Sequence, residues 1–128
     1  MQAEGILIVE DNQLNLMLIK TMLNGRHYDV RTAENAEEAL LLLSTFHPKV
    51  ILMDIQLPGM DGLTLTRQIK ANPQFKETAI IAVTAYAMKG DREKALAAGC
   101  DEYVSKPIDI KTFPDMVAKY LAVSVNRP

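Results

Sequence analysis

The chain has 128 residues and a formal charge of −2, with 14 lysines and arginines set against 16 aspartates and glutamates. That length suits one ordinary domain whose core needs no disulfide or metal staple, and the balanced charge lacks the basic excess of a dedicated nucleic-acid binder. The single Cys100 cannot form an internal disulfide, no apolar run is long enough to span a bilayer, and no basic-then-apolar leader opens the chain, so a reducing cytoplasmic setting is expected.

Short apolar runs rich in β-branched residues alternate with segments of helical period, the pattern of a βα repeat with a parallel sheet. The first strand is expected near Gly5 to Glu10, where Ile6 to Val9 gives way to Glu10 and Asp11. A helix follows from about Asn12 to Leu23 and stops at Asn24 and Gly25, residues that readily take the left-handed cap conformation. Its Leu14, Leu16, Met17, Leu18, Ile19, Met22 and Leu23 are too many apolar residues for one buried stripe, so part of its surface is exposed or meets a partner. The second strand is placed at Asp29 to Thr32. Asn35 followed by Glu38 reads as the capping box of a second helix with Ala39, Leu40 and Leu43 on one face.

The third strand, Val50 to Asp54, is apolar until it ends in a carboxylate, and Gly59 and Gly62 suit the turn beyond it. Leu65 and Ile69 are the inward residues of a third helix that ends at Asn72-Pro73. The fourth strand is Ala79 to Thr84, and the helix after it, about Lys89 to Ala98, offers mainly Leu96 as a large anchor. A fifth strand at Glu102 to Val104 leads to a last helix carrying Phe113, Met116, Val117, Tyr120 and Leu121 at i, i+3, i+4, i+7 and i+8. Thr112 as its cap keeps Pro114 in the first turn, where no hydrogen bond is lost. Residues 1–128 are therefore expected to form one α/β domain, a flavodoxin-like (βα)5 three-layer sandwich with a parallel five-stranded sheet in the order 2-1-3-4-5.

Such sheets bind ligands beyond the carboxyl ends of their strands. Glu10 and Asp11 end the first strand and Asp54 the third, neighbours in that order, so the three acids converge on one rim. Like charges held that close raise one another's pKa unless a cation sits among them. An all-oxygen set, with no His or Cys at ligand spacing, favours Mg²⁺ over Zn²⁺. Thr84 and Lys106, at the ends of the fourth and fifth strands, bring a hydroxyl and an ammonium to the same rim. A carboxylate whose charge is masked by metal is a competent nucleophile towards phosphorus, and Thr84 and Lys106 suit the oxygens of a moving phosphoryl group.

The order Val9-Glu10-Asp11-Asn12, Met53-Asp54 to Pro58 with Gly62, Val83-Thr84-Ala85 and Ser105-Lys106-Pro107 resembles the receiver domain of two-component response regulators over essentially the whole chain. The longer runs Ala82 to Asp91 and Gly99 to Ile108 are especially similar to DivK-type single-domain regulators and to receivers of hybrid histidine kinases. The resemblance implies that Asp54 is the phosphoacceptor, that Glu10, Asp11, Asp54 and the backbone carbonyl of Gln56 hold Mg²⁺, and that Thr84 and Lys106 contact the phosphoryl group. It further implies a cis peptide at Pro107 and a switch in which Tyr103 turns as Thr84 moves. Its partners would be a histidine kinase or histidine phosphotransfer protein, docking near Asn15, Leu18 and Ile108, and a downstream protein reached through the fourth helix, fifth strand and fifth helix. No nucleic acid or membrane partner is implied. The one departure is Pro114, where members of the family usually have ordinary helix formers.

Blander roles compete residue by residue. Asp54 alone could cap a turn, Asp11 could cap the first helix, Thr84 could be an ordinary strand residue, Lys106 a surface lysine and Tyr103 simple packing. His27 and His47 read as surface or loop residues, Cys100 as a small apolar residue at a helix end, and Met88 as packing. On the same architecture an aspartate-dependent Mg²⁺ phosphatase would carry its nucleophile after the first strand in an Asp-x-Asp pattern, where this chain has Glu10-Asp11-Asn12. A flavodoxin-like electron carrier would meet repulsion between those acids and the flavin phosphate. The expected role is a phosphorylation-dependent signalling switch, not an enzyme with a turned-over substrate, that slowly removes its own phosphoryl group. No DNA-binding, catalytic or transmembrane segment follows the fifth helix in this sequence, so output is expected to run through a partner unless the chain is the receiver of a larger protein such as a hybrid kinase.

Overall fold

The computed structural model describes residues 4–85 and 89–126, residues 123–126 by backbone alone. Met88 and the 86–88 part of the loop after the fourth strand lie outside the described residues. Five strands, β1 (Glu4–Val9), β2 (Tyr28–Ala33), β3 (Val50–Asp54), β4 (Ala79–Thr84) and β5 (Glu102–Ser105), pair in parallel in the order β2-β1-β3-β4-β5. Between and after them run α1 (Gln13–Leu23), α2 (Ala36–Leu43), α3 (Gly62–Ala71), a 3-10 turn at Pro73–Phe75, α4 (Asp91–Ala98) and α5 (Phe113–Asn126).

Period-two alternation divides the core. Leu7, Val9, Ile51, Met53, Ile80 and Ala82 face one way and pack with residues of α2, α3 and α4; Ile6, Ile8, Val50, Leu52, Ile81 and Val83 face the other and pack with α1 and α5. β3 and β4 are buried along their whole length, as strands covered on both faces must be. The outermost strands are only half covered. On β2, Arg31 pairs with Asp29 at 3.3 Å and its guanidinium lies 4.4 Å over the Phe46 ring.

The helix ends correct several expectations. α1 is capped by Asn12, whose side chain accepts the Asn15 N–H at 3.0 Å, and not by Asp11, which stays exposed. At its other end Asn24 is extended and only Gly25 is left-handed. Half of the α2 box is made as expected, Asn35 accepting the Glu38 N–H at 2.9 Å, while the Glu38 carboxylate reaches past the cap residue to the N–H of Glu34 at 3.0 Å. Its inward residues are Ala36, Ala39 and Leu43, so Leu40 lies at the margin, 38 % exposed. α4 starts at Asp91, two residues later than Lys89, because Gly90 at φ 89° is not helical. Its buried residues are Ala95 and Ala98; Leu96 is 43 % exposed and anchors nothing. α5 begins at Phe113 with Pro114 in its first turn, and the Met116 N–H bonds the Thr112 carbonyl at 3.0 Å.

Among the described residues, no helix is long and apolar enough to cross a membrane.

Candidate functional site

The register of the sheet assembles the site. Val9 pairs with Met53, Asp54 with Val83 and Thr84 with Ser105, so the residues at the carboxyl ends of β1, β3, β4 and β5 meet at one rim. Glu10, Asp54 and Thr84 are buried there, at 2 %, 5 % and 1 % exposure, while Asp11 faces solvent. Carboxylate oxygens of Glu10, Asp11 and Asp54 lie within 4.8 Å of one another.

Lys106 reaches into this group. Its Nζ is 2.9 Å from Glu10 Oε1 and 3.9 Å from Asp54 Oδ2, and its backbone N–H donates to the Thr84 carbonyl at 2.8 Å, fixing the β5 end against β4. The Lys106–Pro107 peptide is cis. The other carboxylate oxygens are also engaged: the Gln56 N–H donates to Asp54 Oδ1 at 3.0 Å and the Asn12 N–H to Glu10 Oε2 at 3.1 Å. Gln56 itself is exposed, two residues beyond Asp54.

Burial first, and then the hydrogen bond and charge of Glu10, push the Asp54 carboxyl up to about 7, against the Gln56 N–H and the Lys106 ammonium. Burial would raise Glu10 as well, but hydrogen bonds with Asp54, Lys106 and the Asn12 N–H hold it below the usual carboxylate range. The pair thus shares its protons unequally, Glu10 being the more acidic member. One ammonium does not neutralise three acids, and a hard cation among them would favour ionised Asp54. At metal–oxygen distances of about 2.0–2.1 Å, ligands of one octahedral Mg²⁺ lie about 3–4 Å apart. The all-oxygen cluster fits such an ion after a small closing movement, and exposed Asp11 leaves it a path from solvent.

Gly62 has a stricter role than a turn residue: a Cβ there would lie 2.3 Å from the Asp54 carbonyl oxygen, and its N–H bonds the Ile55 carbonyl at 2.8 Å. The loop after β3 can fold back over the strand end only without a side chain at that point. Gly59, at φ 77°, is the left-handed turn residue.

Tyr103 pairs with Ala82, which puts its ring and the Thr84 side chain on the same face of the sheet. The ring is half-buried against the core on the α4 side, and its hydroxyl is buried with no hydrogen-bond partner among the described residues. Ile108 departs from expectation. It is 8 % exposed and belongs to the core cluster of α1 and α5, so it turns inward and does not offer a docking contact. Leu14 and Leu18 of α1 and Ile110 in the segment after β5 are exposed apolar residues, at 75 %, 43 % and 67 %. Sequence reasoning missed the Asn12 N–H as a partner of Glu10; it is a backbone donor that any residue but proline would supply, so the identity of residue 12 carried no signal for it. His27 and His47 are exposed, and Cys100 is buried, its thiol near the Thr66 hydroxyl at 3.9 Å.

Residues 6–118 match the family model described as the response regulator receiver domain. The chain is 41 % identical over 118 residues to the polar-differentiation response regulator DivK of Brucella ovis, covering 92 % of this chain and 96 % of that one. Among solved structures it is similar to the receiver domain of the sensor histidine kinase PA1611 from Pseudomonas aeruginosa, which has a magnesium ion coordinated in its active site cleft. That likeness has a TM-score of 0.84 and 34 % identity over 94 % of this chain and 98 % of that one. It is also similar to a CheY-like receiver domain protein from Methanospirillum hungatei, with a TM-score of 0.90 and 28 % identity over 99 % and 100 % of the two chains.

Proposed function

Because this chain belongs to the response regulator receiver domain family, we propose that Asp54 is the residue on which it accepts a phosphoryl group. The domain is a receiver of two-component signalling, similar to DivK. The observation that carries the choice of residue is the meeting of Glu10, Asp11 and Asp54 within 4.8 Å of one another, with the Lys106 ammonium beside Glu10 and Asp54. Asp54 is the member on the central strand, buried, and faced by that ammonium.

In the reaction an Asp54 carboxylate oxygen attacks the phosphorus of a phosphohistidine, the P–N bond breaks, and its electron pair goes to the departing imidazole, which takes up a proton from solvent. Glu10, Asp11, Asp54 and the Gln56 carbonyl would hold Mg²⁺, which when bound supplies charge neutralisation to the carboxylates and the phosphoryl oxygens. Lys106, released from Glu10, pairs with one phosphoryl oxygen, and the Thr84 hydroxyl turns to donate to another. Tyr103 follows into the space Thr84 leaves and carries the change to the face made by α4, β5 and α5. Water later attacks the acyl phosphate slowly, returning the domain to rest. The donor is a histidine kinase or phosphotransfer protein, docking on Asn15 and Leu18 of α1. The output is a protein that prefers the phosphorylated face. The free Cys100 thiol and a phosphohistidine donor both suit the cytoplasm, and residues 1–128 act as one receiver domain.

With Mg²⁺ and acetyl phosphate the protein should gain one phosphoryl group and Asp54→Asn none. Undiminished labelling of Asp54→Asn would overturn the assignment. Asp11→Asn should weaken Mg²⁺ binding in a titration, by about tenfold for loss of one charged ligand.

A further inference from the structure

α4 is loosely held. It is flanked by two left-handed glycines, Gly90 and Gly99, and buries only alanines. Arg92, on its first turn, places its guanidinium 3.5 Å from Glu102 Oε1 at the start of β5. The other oxygen of that carboxylate, Oε2, accepts the Tyr120 hydroxyl of α5 at 3.2 Å, and the same hydroxyl lies 3.3 Å from the Asp101 carbonyl. Glu102 Oε1 also accepts the Tyr103 N–H at 3.1 Å, so the carboxylate is fixed from its own strand. Arg92 is largely exposed, but Glu102 is only 20 % exposed, and a carboxylate with both oxygens engaged has few positions open to it.

We propose that Glu102 is a positioning residue that couples α4 to α5, its carboxylate gripping Arg92 with one oxygen and Tyr120 with the other. A displacement of α4 draws Arg92 away, the carboxylate loses a charged partner, and the hydrogen bond to Tyr120 changes with it. Two helices separated by β5 then respond as one surface. The signalling consequence rests on the reading of Asp54 given above. The coupling itself does not, since it exists in the resting protein.

The resting coupling is read from urea unfolding of Arg92→Ala, Tyr120→Phe and the double variant, each made with Glu102 present and with Glu102→Ala. With Glu102 present the two substitutions should be non-additive by about two- to threefold in the folding equilibrium constant, as for groups sharing one partner; with Glu102→Ala they should be additive. Additivity in both backgrounds, or the same non-additivity in both, overturns the proposal. Amide chemical-shift mapping with Mg²⁺ and beryllofluoride reads the signalling half. Shifts at the ends of β3 and β4 should persist in Glu102→Ala while those of α5 around Tyr120 are largely lost, and undiminished α5 shifts would overturn the coupling role. Absence of shifts at β3 in the wild type would count against Asp54 as the acceptor, leaving the unfolding cycle to decide the role of Glu102.

Discussion

Tyr103 holds a buried hydroxyl that no other described residue bonds. A buried polar group left without a partner costs about 1–3 kcal/mol, and the Tyr103 hydroxyl has none among the described residues. Tyr103→Phe should therefore stabilise the resting protein by about 1 kcal/mol, read as a higher urea midpoint with an unchanged slope, whereas a lower midpoint would mean the hydroxyl is paired. Cys100 shows burial acting on an ionisable group. Burial pushes its thiol from the ordinary 9.0 to about 11, which the Thr66 hydroxyl opposes only in part. Between about pH 9 and 11 the unfolded chain releases a proton that the folded protein keeps, so stability falls as pH rises through that window; below it both states are protonated and nothing changes. The wild type should lose about 2 kcal/mol more than Cys100→Ala between pH 8 and pH 11, measured by denaturant unfolding at both values. Equal losses would show the thiol to be more accessible than its surroundings suggest.

Among the elements, those with sharp chemical punctuation are legible in the sequence itself. Asn35 with Glu38, Asn72 before Pro73 and Thr112 before Pro114 each set an end where the structure has one, because a cap or a proline acts locally. The two misjudged helix faces had separate causes. Leu40 to Leu43 fill four consecutive positions of α2, so period alone could not choose the inward ones. On α4 the inward face is set by Ala95 and Ala98, and the apparent anchor, Leu96, lies about 100° further round the helix from Ala95 and falls outside it. Leu96→Ala should consequently change stability by no more than about 0.5 kcal/mol. Phe113→Ala at the fully buried start of α5 should cost about 3–5 kcal/mol. Thermal or urea unfolding of the two variants checks the contrast, and a large loss at Leu96 would mean α4 is seated more deeply than described. With so little burial, α4 amides should also exchange faster than those of α5.

On the scale of the whole molecule, the site was legible because topology converts sequence into position: once β1 and β3 are neighbours, Glu10, Asp11 and Asp54 must share a rim. What sequence could not supply were directions and distances. Lys106 rests closer to Glu10 than to Asp54, a balance of two charges that depends on a difference of 1.0 Å between 2.9 and 3.9 Å. Ile108 packs into the core on the α1 and α5 side, a direction that its apolar character alone could not reveal. The open sheet has a further consequence, for solubility. β2 lies at its margin, and along Tyr28-Asp29-Val30-Arg31-Thr32-Ala33 the charged pair of Asp29 and Arg31 interrupts what would otherwise be an apolar strand with unpaired backbone groups. Arg31, drawn over Phe46, stands as a guard against another chain adding itself to that margin. Replacing it with valine should leave the monomer's fold intact but raise light scattering in concentrated solution, as copies begin to join strand to strand.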